Sequence, residues 1–184
     1  MNPAAPDLQS DRLHLSQLTE DDAGLMLAVW NDPSFIRHVV DRGIRSEEAA
    51  LEAMREGVLR LYSEHGYGPY GLSLKSDSSN IGICGLFKRD NLDHPDIGYA
   101  LLPAYRGQGY ALEAAQAVVA HAGEVMKLQK LLAIVSPGHA RSITLLEKLG
   151  MARAGTVRMP GDDEDILLFE LDLVAAQPGS RAAQ

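Results

Sequence analysis

One stretch of the chain leads from a strand-like segment into a helix through two glycines. Residues 95–102 (PDIGYALL) are mostly apolar and aromatic, as in a strand. From Ala111 onward, alanines and valines recur every three or four positions, which predicts an amphipathic helix. The turn between them holds Arg106, Gly107 and Gly109. A strand, a short turn and a long helix form a unit of α/β domains, so this stretch restricts the fold more than any other.

The same patterns predict the elements on either side of this stretch. A first strand lies near residues 13–18, and the acids after Thr19 predict a helix that ends near Trp30. A long second helix is predicted from Ser46 to about Gly66. The remaining predictions are strands at 70–77, 80–90, 130–137, 156–161 and 166–173 and a short helix at 142–151.

In chain order these elements are β-α-α-β-β-β-α-β-α-β-β, which predicts a single mixed α/β domain. Its predicted bounds are residues 8–174, because residues 1–7 and 175–184 lack periodicity and predict flexible tails. A chain of 184 residues is long enough to bury one sizeable core.

Composition and charge exclude several classes of function. The net charge is −8, which disfavours binding of nucleic acid through a basic surface. No apolar run approaches the roughly 18 residues that cross a bilayer, so no membrane is expected. The six histidines lack metal-ligand spacing, so no metal is expected. Cys84 is the only cysteine, which excludes an internal disulfide and predicts a cytoplasmic protein, and its apolar neighbours favour a packed thiol over a nucleophile.

The turn at residues 106–109 admits several interpretations. A dinucleotide-binding G-x-G-x-x-G motif would need a third glycine where Leu112 stands, and a Walker loop would need Gly-Lys-Ser/Thr. What remains is either a tight turn that merely opens a helix or a cradle for a phosphate group. The cradle rests on the unpaired amides and the charge of about +0.5 at a helix N-terminus, which glycines allow a pyrophosphate to approach.

Residues Arg106 to Ala111 fit the pattern R-x-x-G-x-A, and on this pattern the chain resembles the GNAT acetyltransferases. Within that family it is similar to the RimJ/RimL-type branch, through DRLHL at 11–15, GYALLPAYRGQGYALEA at 98–114 and SITLLEKLGM at 142–151. The resemblance implies a mostly antiparallel sheet that is splayed between the fourth and fifth predicted strands. It also implies acetyl-CoA as cosubstrate and a primary amine, such as a protein N-terminal α-amine, as acceptor.

The resemblance further implies which residues hold the cofactor. The pyrophosphate would lie on the turn and the start of the helix, that is, on Arg106, Gly107, Gln108, Gly109, Tyr110 and Ala111. The backbone of the fourth strand would supply an amide donor for the oxyanion, from Ala100, Leu101 and Leu102, with Pro103 marking where strand pairing ends. The branch usually carries asparagine where this chain has His139, so His139 is expected to hold the cofactor arm or the helix start.

Two side chains are predicted to move protons. Asp96 shares one strand face with Gly98 and Ala100 and is the predicted general base, acting through water because a carboxylate with a pKa near 3.9 is a weak base. The alternative is that Asp96 belongs to a hydrated polar turn. By resemblance, Ser142 gives a proton to the leaving thiolate, and the alternative is that its hydroxyl caps the late helix.

Two segments are candidates for the acceptor side. The acidic turn at residues 161–165 (GDDED) either attracts a cationic amine or is a solvated surface. Asp41, Arg42 and Gly43 precede the long helix that walls the acceptor groove in GNAT proteins, and they either shape that groove or form a charged turn. Three functions stay open: acetylation of a protein N-terminus, acetylation of a small-molecule amine, and acyl-CoA sensing without turnover. The protein is expected to be a monomer or a homodimer.

Overall fold

The computed structural model describes residues 6–161 and 163–173 and contains one eight-stranded sheet. The strands are β1 (Leu8–Gln9), β2 (Leu13–Gln17), β3 (Pro69–Leu74), β4 (Asn80–Phe87), β5 (Asp96–Leu101), β6 (Lys130–Val135), β7 (Ala152–Arg158) and β8 (Asp165–Asp172). Their spatial order is β1-β2-β3-β4-β5-β6-β8-β7. Neighbouring strands are antiparallel except for β5 and β6, which run parallel.

The described residues include six α-helices and two short 3-10 helices. The α-helices are α1 (Ala23–Trp30), α2 (Pro33–His38), α3 (Glu47–Glu56), α4 (Val58–His65), α5 (Tyr110–Glu124) and α6 (Ala140–Lys148). The 3-10 helices are Glu20–Asp22, before α1, and Pro103–Tyr105, between β5 and α5.

The predicted mixed α/β fold is confirmed, and the structure adds elements that the sequence patterns did not predict. Strand β1 and helix α2 were not predicted, because segments of two and six residues are too short to show a period of apolar residues. Helix α2 begins because the Asp32 carboxylate accepts hydrogen bonds from the amides of Ser34 and Phe35. The single long helix predicted from residue 46 to 66 is instead α3 and α4, separated at Gly57, whose φ of −117° and ψ of −96° are not helical.

Hydrophobic residues pack on both faces of the sheet. Along β4, Cys84 and Leu86 join a cluster with α5 and α6, whereas Ile83 and Phe87 join a second cluster with α1 and α3. Because successive side chains of a strand point to opposite faces, α5 and α6 cover one face and α1 and α3 cover the other. Cys84 is fully buried in the first cluster, as expected for a packed thiol.

The sheet opens between β5 and β6. These strands form one register pair, Asp96 with Leu132, beside a hydrogen bond of 2.9 Å from the Leu132 amide to the Pro95 carbonyl. Beyond that point the described strands diverge. The splay predicted between the fourth and fifth strands is therefore present, and these strands are β5 and β6 because β1 was not counted.

The ends of the chain lie almost entirely outside the described residues. The predicted tails were residues 1–7 and 175–184, so the domain bounds of 8–174 stay a prediction. Within the part of the chain that the structure describes, no helix combines the length and the apolar character needed to span a membrane.

Candidate active site

A cavity of about 660 Å³ is lined by both strands of the splay. From β5 it is lined by Asp96 and Tyr99, and from β6 by residues 133–135. His139 and Ser142 line it from the α6 side of the sheet. Trp30, Phe35, His38, Val39, Val40 and Arg42 line it from α1, α2 and the segment that follows. The cavity thus connects the two faces of the sheet, with different helices on each side.

Of the amides of Ala100, Leu101 and Leu102, one points toward the opening. The amide of Leu102 donates to the Ile81 carbonyl (2.8 Å), so these residues are a hydrogen-bonded pair of the antiparallel ladder with β4. Such pairs alternate, so Ala100 is also bonded to β4, through Ile83, whereas the Leu101 amide points toward β6. Of the backbone predicted to supply the donor, the amides of Ala100 and Leu102 bond within the sheet, so a contact of the Leu101 amide with the thioester stays a prediction.

Arg106 lies at the start of the predicted pyrophosphate turn but is engaged within the protein. Its Nε donates to the Leu101 carbonyl (2.9 Å), and a terminal nitrogen pairs with the carboxylate of Asp32, which is 4% exposed. Arg106 therefore ties the end of β5 to the N-terminus of α2, and Asp32 compensates its charge. A phosphate contact by this side chain stays a prediction.

The turn itself has the geometry of an anion cradle. Gly107 and Gly109 have φ of +75° and +86°, a left-handed conformation that favours glycine. Helix α5 begins directly after them, at Tyr110, and among the described residues no side chain caps its first turn. The amides of that turn are therefore available to a ligand, as at other phosphate-binding helix N-termini.

Arg12 anchors this turn. This role was not predicted from the sequence, although Arg12 lies in the DRLHL segment that carries part of the resemblance. Its guanidinium forms an ion pair with Glu113 in the first turn of α5 (2.6 Å) and donates to the Gln108 carbonyl (3.1 Å). It also lies over the ring of Tyr110, 4.3 Å from the centroid. The side-chain amide of Gln108 donates to the Ala104 carbonyl (3.1 Å). The side chains of Gln108 and Tyr110 therefore shape the turn, and the backbone is what they present to a ligand.

Asp96 is buried beside a guanidinium. The residue is 1% exposed, and both carboxylate oxygens accept from Nε of Arg89 at 3.0 Å. Burial raises the pKa of Asp96, and the Arg89 charge and hydrogen bond oppose that rise. The alternative of a hydrated turn residue is therefore wrong. A carboxylate with a raised pKa on a cavity wall is a better base than one in water.

Ser142 is hydrogen-bonded to Tyr99 across the cavity wall. The two hydroxyl oxygens are 2.8 Å apart, and either can be the donor. Ser142 is the third residue of α6 rather than its N-cap, which excludes the capping role considered from the sequence. Burial raises the pKa of Tyr99 to about 12. Tyr99 has no role that could be predicted from the sequence, because a partner 43 positions away leaves no local signal.

His139 precedes α6 and stacks on a second histidine. Its ring lies parallel to that of His38 at the end of α2, with centroids 4.1 Å apart and planes at 7°. Burial lowers the pKa of His139, and the charges of His38, Arg106 and Arg141 lower it further. The His139 side chain does not cap α6, so of its two predicted roles only the contact with the cofactor arm stays a prediction.

The acidic turn is not part of the cavity wall in the described residues. Gly161, Asp163, Glu164 and Asp165 are exposed, and Asp165 forms an ion pair with Arg158 at 2.8 Å. Asp162 lies outside the described residues. Residues on either side of the turn do line the cavity, so the hairpin approaches the acceptor side while its carboxylates face solvent.

From the sequence, no metal site was expected. Across residues 6–161 and 163–173, no group of three or more histidine, cysteine, aspartate or glutamate side chains is arranged to hold a metal ion.

Comparison with known proteins agrees with this architecture. The family model described as the acetyltransferase (GNAT) domain matches residues 12–152, more than half of the chain. The uncharacterized N-acetyltransferase YoaA of Bacillus subtilis strain 168 is 27% identical over 154 residues, which are 83% of this chain and 86% of YoaA.

Two solved structures have the same fold. The acetyltransferase from Agrobacterium tumefaciens strain C58 superposes with a TM-score of 0.76 at 24% identity, covering 93% of this chain and 96% of that one. RimL, the ribosomal L7/L12 alpha-N-protein acetyltransferase in complex with coenzyme A, gives a TM-score of 0.77 at 16% identity, covering 91% and 98%.

The matched family model and the relatives named as N-acetyltransferases make the protein an acyltransferase. The chain belongs to the GNAT acetyltransferase family. Members of this family transfer an acetyl group from acetyl-CoA to an amine, so the protein is an N-acetyltransferase.

Proposed function

We propose that the protein acetylates the α-amine at the N-terminus of a protein, with acetyl-CoA as donor. The observation that carries this proposal is the splay cavity, which has a buried carboxylate, Asp96, and a hydroxyl pair, Ser142 and Tyr99, on its walls. A base for the amine and an acid for the sulfur are the two groups that acyl transfer from a thioester needs.

The cofactor would lie along the opening, with its pyrophosphate on the amides that follow Gly107 and Gly109. Its thioester carbonyl would then meet the Leu101 amide, which is directed away from β4. The amine nitrogen attacks the carbonyl carbon, and the resulting oxyanion accepts a hydrogen bond from that amide. Losing a donor of this kind typically costs about 2.7–4 kcal/mol in transition-state stabilisation.

Asp96 would accept the proton that the amine loses, directly or through a water molecule. An α-amine with a pKa of about 7.8 loses its proton at pH 7 at a cost of about 1 kcal/mol, whereas a lysine with a pKa of about 10.4 costs more than about 4 kcal/mol. A single carboxylate, partly held by Arg89, therefore suits an α-amine better than a lysine side chain. The similarity to RimL, named for an α-amine acceptor, supports the same choice.

Ser142 would give its proton to the sulfur as the carbon–sulfur bond breaks, and Tyr99 would replace that proton through the hydrogen bond between them. The high pKa of Tyr99 keeps its proton in place until the thiolate forms. In this arrangement the base lies on the α1 face of β5 and the acid on the α6 face, with the thioester between them.

The test is a panel of acceptors offered with acetyl-CoA: N-terminal peptides, the same peptides with a blocked α-amine and a free lysine, and small amines. Mass spectrometry should find one added acetyl group on the α-amine of the unblocked peptides. Release of CoA thiol should depend on the peptide. Acetylation restricted to lysine or to small amines would overturn the proposed acceptor, and thiol release unchanged by any amine would overturn the transfer.

A further inference from the structure

The cavity lining is richer in cations than the chain as a whole. The chain carries a net charge of −8, yet four cations line the cavity: Arg42, Arg60, Lys88 and Arg89. Three carboxylates line it, those of Glu56, Glu64 and Asp96, so the cations exceed the carboxylates by one. An excess of positive charge in the cavity of an acidic protein indicates a binding partner with a negative group.

Most of these cations have partners within the protein. Arg60 forms an ion pair with Glu64 (2.5 Å), and the Lys88 ammonium donates to two backbone carbonyls. Arg89 donates to Asp96 through Nε alone, which leaves its two terminal nitrogens without a hydrogen bond among the described residues. Arg42 differs from the others, because in residues 6–161 and 163–173 its guanidinium has neither a carboxylate partner nor a hydrogen bond to a carbonyl.

The local turn explains why Arg42 has no acidic partner. The neighbouring Asp41 carboxylate is occupied by Arg45, at 2.7 and 2.9 Å, and accepts a further hydrogen bond of 2.9 Å from the Gly43 amide. Gly43 has a φ of +68°, which turns the chain after Arg42. The charged triplet 41–43 is thus a structured turn that keeps Asp41 away from Arg42.

The Arg42 guanidinium lies against the cavity wall. It stacks over the ring of Trp30, 4.8 Å from the centroid. Burial lowers the pKa of Arg42, and the nearby charge of Arg89 lowers it further. The charges of Arg42 and Arg89 therefore act on one another, and Asp96 is the one carboxylate that pairs with either of them among the described residues. A stacked guanidinium keeps its N–H edge available for a planar carboxylate.

We infer that Arg42 and the terminal nitrogens of Arg89 form an anion subsite that binds a carboxylate of the acceptor. The acceptor is then an amine that also carries a carboxylate, and we assign it to an acidic side chain in the first residues of a peptide. This inference rests on the proposed function and names its substrate class. It replaces the cationic acceptor expected from the acidic turn, whose described carboxylates face solvent.

The first arm of the test measures turnover. Three peptides differ only at the second residue, which is Glu, Gln or Lys, and kcat/KM is measured for each at low salt. The Glu peptide should exceed the Gln peptide about ten- to a hundredfold, as expected for a bidentate charged contact, and the Lys peptide should be the poorest. Free glutamate and aspartate form a further set, because their acetylation at a similar rate would place the carboxylate on a small molecule.

Matched variants assign the preference to a residue. Arg42→Gln should reduce the ratio of the Glu to the Gln peptide to about one, and Arg42→Glu should invert the order of the Glu and Lys peptides. Arg55→Gln is the control, since Arg55 is exposed, is paired with Glu20 and does not line the cavity, and it should keep the ratio. An Arg42→Gln protein that retains the full ratio would overturn the inference.

The second arm needs no turnover. Trp30 is the only tryptophan of the chain and lies under Arg42, so its fluorescence reports on this subsite. In the CoA complex, the Glu peptide should give a saturable change in emission that the Gln peptide and the Arg42→Gln variant lack. A saturable change without acetylation of any peptide would support the subsite and overturn the proposed function. Acetylation without charge preference, together with no change in emission, would overturn the subsite alone.

Discussion

The two sides of the splay cavity are built from different parts of the chain. The cofactor side is the turn and helix start at residues 106–113, where neighbouring residues supply backbone amides and glycine conformations. The acceptor side collects Trp30, Arg42, Arg89 and Asp96, side chains from separate segments. The cofactor side therefore uses backbone groups that any acetyl-CoA enzyme can present. The acceptor side uses side chains, which can differ from one protein to another. The comparison implies that glycine substitutions damage the first side and side-chain substitutions the second.

The largest effect is expected on the acceptor side, from Asp96→Asn. Removing a general base typically lowers the rate about 10²–10⁴-fold, and kcat should fall within that range while CoA still binds. Burial raises the pKa of Asp96, and the carboxylate is the basic form, so the wild-type rate should increase with pH through that raised pKa. The variant should lose this acidic limb in a pH–rate profile.

Asp165→Asn is the matched control, because Asp165 is exposed and pairs only with Arg158 among the described residues. It should keep both the rate and the pH profile. An Asp96→Asn enzyme with an unchanged acidic limb would remove Asp96 from the mechanism.

On the cofactor side, Gly109→Val should weaken CoA binding at least about a hundredfold. A valine at a φ of +86° is strongly strained, and its Cβ would lie 3.3 Å from the Arg12 guanidinium that anchors the turn. Gly107→Ala is the comparison, since φ is +75° there but no described atom lies within 4 Å of the added Cβ. Gly107→Ala should cost only the backbone strain of an alanine in the left-handed conformation, about 1–2 kcal/mol. Calorimetric titration with CoA measures both, and equal binding by the two variants would contradict the cradle.

Arg106→Ala should affect stability more than cofactor binding. The substitution leaves the Asp32 carboxylate buried without its cation, and we expect the free energy of unfolding to fall by about 2–3 kcal/mol in urea titrations. Arg55→Ala, which removes an exposed ion pair with Glu20, should change stability little. A stable Arg106→Ala protein that binds CoA poorly would instead support the contact with the pyrophosphate.

The smallest effect is expected where the two sides meet. Ser142→Ala and Tyr99→Phe should each lower kcat about tenfold while the KM for acetyl-CoA stays nearly constant, because a proton is needed only as the thiolate forms. The double variant should lose little more than either single variant if the hydroxyls act as one hydrogen-bonded unit. Additive losses would show that they act separately.

The order of most elements could be predicted because it depends on local patterns. The period of apolar residues located the strands and the long helix α5, and the glycines at 107 and 109 located the turn before it. Helix α2 escaped prediction because its six residues hold too few apolar positions for a period, although its cap, Asp32, and Pro33 were visible. The break at Gly57 shows that a periodic segment need not be one helix.

By itself the sequence determined the α/β class and the turn that opens α5, since both follow from patterns of neighbouring residues, and the resemblance to the GNAT family implied the splayed sheet. Only the tertiary structure decided which partners meet. Arg106 with Asp32, Arg12 with Glu113 and Tyr99 with Ser142 are separated by 74, 101 and 43 positions. No periodicity encodes such pairs, because they depend on how helices on both faces of the sheet pack around one opening. The charge of the acceptor side follows from that packing and not from the composition of the chain.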